Sequence, residues 1–298
     1  MRESELLALI ELRSQDLPAP VIVGPGDDAA VLLFGAAQVL VTVDQLVEGR
    51  HYEQASATLD QIARKAMARG VSDIAAMGGR PACAFVAASL RAGFTEADEL
   101  FERMSFWANT WSCPLAGGDI AVVDGPTVLS VTVIGSPHPG RGAVLRRTAR
   151  PGDRLMVTGR LGGSLESGRH LAFEPRLAES AWLCDELGDR LSAMIDLSDG
   201  LGLDTSRIAK ASGVRIEIDA AALPLHDEAH GDWRAAISAG EDYELCFTVA
   251  GEPPADTAPN GTSMTTIGRV LEGEGCFVRT DDGETIDVAD LGWDHNAK

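Results

Sequence analysis

The chain has 298 residues, 45% of them hydrophobic, and carries 45 acidic residues against 25 lysines and arginines, a formal net charge of −20. That length implies two domains, the apolar content suffices for sizeable cores, and a mean hydropathy near zero excludes a disordered chain. The acidity argues against a nucleic-acid binder or a protein that docks on anionic membranes. Lysine occurs only at 65, 210 and 298, so a phosphate-bearing ligand would have to meet arginine or bound cations.

Residues 4–13 form a short amphipathic helix pattern. Gly24-Pro25-Gly26-Asp27-Asp28 makes a turn into a strand over 30–34. A second strand over 39–43 ends at Asp44, and 46–52 reads as a loop carrying Glu48, Gly49 and His51. Thr58 with Gln61 is a capping-box pattern that opens a helix with apolar or small residues at 59, 62, 63, 66, 67, 70, 74 and 77, closed by Gly78-Gly79. Asp73 falls on or beside that stripe, where a charge needs a partner, a cation or water. A strand over 83–90, a helix over 97–110, a glycine-carboxylate turn at Gly117-Gly118-Asp119 and a strand over 128–135 follow. The order ββαβαβ predicts an α+β domain with helices on one face of a mixed sheet.

The segment 138–152 is rich in proline, glycine and arginine and divides the chain into an N-terminal domain, 1–137, and a C-terminal domain, 153–298. Its Arg141, Arg146, Arg147 and Arg150 suit either a solvated linker or a phosphate-contacting hinge. Beyond it come a strand over 154–158, a glycine-rich turn over 159–168 and a helix over 178–190. That turn lacks GxxxxGK[ST] and any lysine, so it is not a P-loop. The stretch Ile195-Asp196-Leu197-Ser198-Asp199-Gly200-Leu201 leads into a helix to about Ser212, with Ser198 and Asp199 as N-cap candidates. A strand over 214–219, a weak helix near 229–238, Gly240-Glu241-Asp242 and a strand over 243–249 precede alternating strands, which makes the second domain an α/β sandwich.

Acidic residues recur at strand ends, glycine turns and helix edges: Asp27 and Asp28, Asp44, Asp73, Asp119, Asp196 and Asp199. Each alone reads as a turn or a cap. Together they suggest a convergent carboxylate site, which would repel itself unless cations bind. All-oxygen ligands without Cys/His spacing point to Mg²⁺, and hence to magnesium-dependent phosphate chemistry. Competing chemistries find no motif: GxSxG and HExxH do not occur, and the six histidines show no ligand spacing. The five cysteines form no CxxC, which predicts free thiols in a reducing cytoplasm. Met1-Arg2-Glu3-Ser4-Glu5 is too acidic for a signal or transit peptide, and no apolar run approaches a membrane-spanning length.

Six strings occur in the order of one family: Gly26-Asp27-Asp28-Ala29; Val41-Thr42-Val43-Asp44 through Glu48-Gly49-Arg50-His51; Val71-Ser72-Asp73-Ile74-Ala75-Ala76-Met77-Gly78; Gly117-Gly118-Asp119; Ile195 to Leu201; and Gly240-Glu241-Asp242-Tyr243-Glu244-Leu245. On these, from about residue 3 to Asp294, the chain resembles the thiamine-monophosphate kinases of the aminoimidazole-ribonucleotide-synthetase superfamily. The resemblance implies ATP- and Mg²⁺-dependent phosphorylation of thiamine phosphate to thiamine diphosphate, by a cytoplasmic homodimer whose N-terminal domains pair. By motif it implies Asp28, Thr42, Asp44, Asp73, Asp119, Asp196 and Asp199 at several magnesium ions. Gly118, Asp119, Arg146 and Ser198 would meet ATP, and His51, Glu241 and Trp293 would meet thiamine phosphate. No residue is assigned as a general acid or base. The chain departs from the family pattern at Gln45, at Ala239 and in a shortened 168–176 region.

Two other classes compete. Related ATP-using enzymes would want a cysteine in an N-terminal glycine-rich loop (selenophosphate synthetase) or at the C-terminus (the hydrogenase-maturation relative), and neither is present. A non-catalytic nucleotide sensor would be expected to have lost some carboxylates, and here all remain.

Overall fold

The structure, a computed structural model, describes residues 3–14, 16–289 and 291–292. After helix α1 (Glu3–Arg13), the first half contains β1 (Val21–Val23), β2 (Ala30–Phe34), β3 (Ala37–Val47), α2 (Leu59–Ala76), β4 (Arg80–Arg91), α3 (Ala97–Thr110), β5 (Leu115–Val123) and β6 (Val128–Ser136). These strands form one mixed sheet in the order β1-β2-β3-β6-β4-β5. All its pairs are antiparallel except β4 with β5, which α3 joins by a crossover.

Helix α2 starts where the sequence places it, because Thr58 and Gln61 cap each other's backbone N–H groups reciprocally. Its stripe of Ile62, Ala63, Ala66, Met67, Val71 and Ile74 packs on Leu40, Leu46, Leu129, Val131, Val133 and Val86 of the sheet. The opposite face of that sheet leaves Val43 and Phe85 exposed.

Three strands of this sheet differ from the sequence expectation. Gly117-Gly118-Asp119 is not a turn but part of β5, paired in parallel with β4. Its glycines answer to the neighbouring strand, since a Cβ on Gly118 would run into the Val86 carbonyl. The short β1 pairs with β2 at the sheet edge and buries Val23, and β3 runs on through residues assigned to a loop.

The second half contains β7 (Arg154–Thr158), α4 (Ser164–Ser167), α5 (Leu177–Leu187), β8 (Leu191–Asp196), α6 (Leu201–Ser212), β9 (Arg215–Asp219), α7 (Trp233–Ser238), β10 (Leu245–Val249), β11 (Met264–Leu271), β12 (Gly275–Arg279) and β13 (Thr285–Asp287). Its sheet runs β13-β12-β9-β11-β7-β10-β8. One face, with Leu155, Ile195, Cys246 and Ile216, is covered by α6 and α7. The other, with Met156, Met194, Leu245 and Phe247, is covered by Leu183, Cys184 and Leu187 of α5. Cover on both faces explains why β8 and β10 are buried at every position rather than at alternate ones.

The C-terminal end of α2 also belongs to this second core, through Ala76. Ser180 of α5 donates to the Ala75 carbonyl at 2.6 Å. So α2 lies in the seam between the two sheets and touches both. The segment joining the sheets is packed rather than loose: Arg141 donates to the Leu191 carbonyl at 2.7 Å and Thr148 to that of Ser192 at 2.5 Å. All five cysteines are free, and no described helix is long and apolar enough to cross a membrane.

Candidate functional site

Three carboxylates meet in the seam. Asp28 lies in the turn before β2, Asp73 on α2, and Asp196 at the end of β8. One carboxylate oxygen from each lies within 4.8 Å of the other two. Three chain segments far apart in sequence thus converge on one point, and each partner is polar. Thr42 of β3 donates to Asp73 at 2.5 Å, Ser72 to Asp196 at 2.6 Å, and Arg146 to Asp28 at 2.6 and 3.2 Å. Asp28 and Asp196 are buried; Asp73 keeps part of its surface open although its carboxyl is enclosed by protein.

The electrostatics follow from that enclosure. Burial first, then the charges of Asp44, Asp196 and Asp28, hold the Asp73 carboxyl well above its ordinary range, against the Thr42 hydrogen bond. Burial and Asp28 do the same to Asp196, against Ser72. Carboxylates packed this closely repel one another when ionised, and a cation among them relieves that repulsion. Close-set carboxylates with hydroxyls beside them, and no sulfur or imidazole in the group, form a donor set that fits a hard divalent cation such as magnesium.

The other aspartates arrive differently. Asp44 is held by Arg69 of α2, at 3.1 and 3.4 Å. Asp199 pairs with Arg207 at 2.7 Å, and its backbone N–H donates to Asp204 at 2.9 Å. Asp204 is fully buried, and burial pushes its carboxyl up to about 7 despite Arg207. Asp27 accepts the Arg146 backbone N–H at 2.7 Å. Asp119 stands apart from the three-carboxylate group, exposed on β5 in register with Ala87, and Gly118 beside it is exposed too. Within the three-carboxylate group Asp73 and Asp196 therefore have hydroxyl partners and Asp28 an arginine, as do Asp44 and Asp199 outside it.

Ser198 and Asp199 do not cap α6 as the sequence suggests. The N-cap is Gly200, at φ +108°, with no side-chain cap. A Cβ at Gly200 would press against the Ile237 carbonyl at 2.9 Å, so the chain turns where only glycine fits. Ser198 uses its backbone instead, and its carbonyl accepts the Glu241 N–H at 2.8 Å.

A second polar group lies along the same helix. Lys65, Arg69 and Asp73 are spaced four residues apart, so they share one face of α2. Lys65, with no exposed surface, donates to the His51 carbonyl at 2.8 Å and pairs with the Glu241 carboxylate. The His51 ring accepts the Val47 N–H through Nδ1 at 2.9 Å, which leaves the proton on Nε2. The third expected substrate residue, Trp293, lies outside the described residues.

Glu241 and Tyr243 are non-glycine residues in left-handed conformations, at φ +66° and +51°. Such backbone persists only where the surroundings over-determine it. Tyr243 is buried and stacks on Phe173 at 3.8 Å. Asp242 accepts the Gly162 N–H at 2.9 Å, and burial pushes its carboxyl up to about 7. A cavity of about 450 Å³, lined by Arg169, Phe173, Arg176, Asp242 and Glu244 among others, opens beside this segment.

Sequence reasoning passed over Lys65, Arg69, Asp204 and Arg207. Two signals were available. Lys65 and Arg69 precede Asp73 by two turns and one turn of a helix whose start the capping box defines, and Lys65 is one of three lysines in the chain.

The family model matching residues 26–136 is that of AIR synthase related protein, N-terminal domain. Over 299 aligned residues the chain is 38% identical to the thiamine-monophosphate kinase of Rhodopirellula baltica, covering 93% of this chain and 92% of that one. It is 34% identical to the thiamine-monophosphate kinase of Escherichia coli (strain K12), covering 99% and 98% of the two chains. Among solved structures it is similar to AaThiL complexed with AMPPCP and TMP, with a TM-score of 0.84, 30% identity, and 99% and 97% of the two chains covered.

Proposed function

The chain belongs to the thiamine-monophosphate kinase family, and from that premise we propose that it transfers the γ-phosphoryl group of ATP to thiamine phosphate, giving thiamine diphosphate, in a direct in-line step that depends on magnesium. The observation that carries this reading is the convergence of Asp28, Asp73 and Asp196 within 4.8 Å in the seam. The similarity to a structure complexed with AMPPCP and TMP supports both substrates.

Asp28, Asp73 and Asp196 would hold magnesium, with Thr42 beside them; Asp44, Asp119 and Asp199 follow by family resemblance. Bound magnesium would neutralise phosphate charge that an acidic protein with few lysines cannot. The chain's own residues then have to bind and orient. A phosphate monoester loses its second proton near pH 6, so the acceptor oxygen is largely ionised at neutral pH and needs no general base. Arg146, donating to Asp28 at 2.6 Å, lies where a nucleotide phosphate held at the carboxylates would compete for its guanidinium. Ser198, Gly118 and Asp119 are the further ATP contacts in this proposal, and His51, Glu241 and Trp293 the acceptor contacts. The free thiols fit a cytoplasmic setting.

The test is a coupled assay with ATP, magnesium and either thiamine phosphate or unphosphorylated thiamine. ADP and thiamine diphosphate should form with the former only, and chelation should reduce the rate to background. No product from thiamine phosphate at saturating metal would sink the kinase reading. ATP binding by calorimetry without turnover of any phosphorylated acceptor would favour a nucleotide sensor.

The homodimer belongs to the same proposal. The first sheet leaves Val43 and Phe85 open on the face away from α2, and Ile120 and Val122 open along its edge strand β5, the last 71% exposed. Exposed apolar side chains on a sheet face and its edge support pairing through this sheet. Sedimentation at micromolar protein should return a dimer for the native chain and a shift towards monomer for Phe85→Glu. A native monomer would exclude the pairing.

A further inference from the structure

Of the 25 lysines and arginines in the chain, only three are lysine. Lys210 is largely exposed, and Lys298 lies outside the described residues. Lys65 is the opposite case, with no exposed surface at all. A sequence that uses arginine nearly everywhere retains lysine at a buried position with two acceptors from separate segments. A compact ammonium with freely turning donors fits there, whereas a planar guanidinium fork needs coplanar acceptors and more room.

The two acceptors are informative. One is the carbonyl of His51, in the turn after β3. The other is the carboxylate of Glu241, from the second half of the chain. Every other handle on Glu241 is also held. Its N–H donates to the Ser198 carbonyl at 2.8 Å, its carbonyl accepts from Ser164 Oγ at 2.6 Å, and its φ of +66° is left-handed. A surface carboxylate would need none of this. An ion pair serving only to staple two domains would not need its acidic member in a disfavoured backbone conformation.

We propose that Lys65 is a positioning residue for the phosphate acceptor. By bonding the His51 backbone carbonyl and the Glu241 carboxylate together, it fixes across the seam the two residues that, on the kinase reading above, meet thiamine phosphate. Lys65 itself touches neither substrate. Its loss frees the Glu241 carboxylate to swing and loosens the His51 turn, while the carboxylate group at Asp28, Asp73 and Asp196, two helical turns away on the Asp73 side, keeps its own partners.

The experiment is steady-state kinetics of Lys65→Met, Glu241→Gln and the double variant, with each substrate varied in turn. Lys65→Met should raise KM for thiamine phosphate by about tenfold or more and leave KM for ATP within about twofold, a split that a uniform loss of stability does not produce. The double variant should be no worse than the poorer single, because both changes remove one coupled unit. Lys65→Arg should not restore the native KM, since charge returns without the geometry. If Lys65→Met fails to fold, Lys65→Gln, which keeps a neutral donor, carries the same comparison. Equal losses for both substrates, or a lowered melting temperature with both KM values unchanged, would overturn the proposal. A native enzyme inactive on thiamine phosphate would instead remove the kinase reading, and this inference with it.

Discussion

Asp73→Asn should lower turnover by roughly a hundred- to a thousandfold while the metal-free protein stays folded, with a melting temperature no lower than that of the native chain. Both halves of this expectation come from the same surroundings. A carboxylate oxygen of Asp73 lies within 4.8 Å of oxygens of Asp28 and Asp196, with Thr42 donating to it at 2.5 Å. Asparagine preserves the size and one acceptor oxygen for Thr42, so packing and that hydrogen bond survive. What disappears is the anionic oxygen pair that a divalent cation requires. In the metal-free protein, burial and the neighbouring charges of Asp44, Asp196 and Asp28 oppose ionisation of this carboxyl. A neutral amide removes that repulsion and adds no strain. Turnover measured at saturating magnesium, with thermal melts in chelator, separates the two effects. Unchanged turnover would reduce Asp73 to a packing group on α2.

Glu244→Ala should cost about 2–3 kcal/mol of stability, less than the roughly 3–5 kcal/mol of breaking a fully buried ion pair, because Arg176 is partly exposed and keeps Glu179 as a second partner. Glu244 is 5% exposed. Its carboxylate accepts from Arg176 Nε at 2.7 Å, from Arg176 Nη2, and from Thr158 Oγ1 at 2.5 Å. Thr158 in turn accepts the Leu245 N–H at 2.8 Å, so one carboxylate ties β7, β10 and the start of α5 together. Alanine leaves the Thr158 hydroxyl without its acceptor and Arg176 with half its pairing. Denaturant midpoints at constant slope check the magnitude, and Glu244→Gln, which retains an acceptor, should recover part of the loss. A midpoint equal to that of the native protein would mean that water replaces the pair at no cost.

The carboxylates show where local information is sufficient. Asp28, Asp73 and Asp196 stand beside glycine turns, on a capped amphipathic helix and at a strand end, and each of these contexts is visible within a few residues. Their convergence was legible only as repetition of one pattern, because the distances between them depend on how three elements pack. Asp119 repeats the same pattern and yet sits on an exposed edge strand, outside the group. The same limit explains β5. Its glycines read as a turn locally, and only pairing with β4, some 30 residues earlier, makes them a strand. It explains α6 as well, where serine and aspartate are the better caps by propensity. Gly200 takes the position because the Ile237 carbonyl leaves no room for a side chain.

The sequence by itself determined the class of this protein: two mixed α/β halves, an acidic chain whose recurrent aspartates offer oxygen donors, and a string of motifs in one family's order. It did so because capping boxes, amphipathic periods and short motifs are written in residues close together. The tertiary structure alone decided which aspartates share a point, which arginines hold the others, and that one buried lysine joins His51 to Glu241 across the seam. Those partnerships depend on side chains brought together from distant segments, where desolvation and charge decide the outcome, and neither quantity exists until the chain has folded.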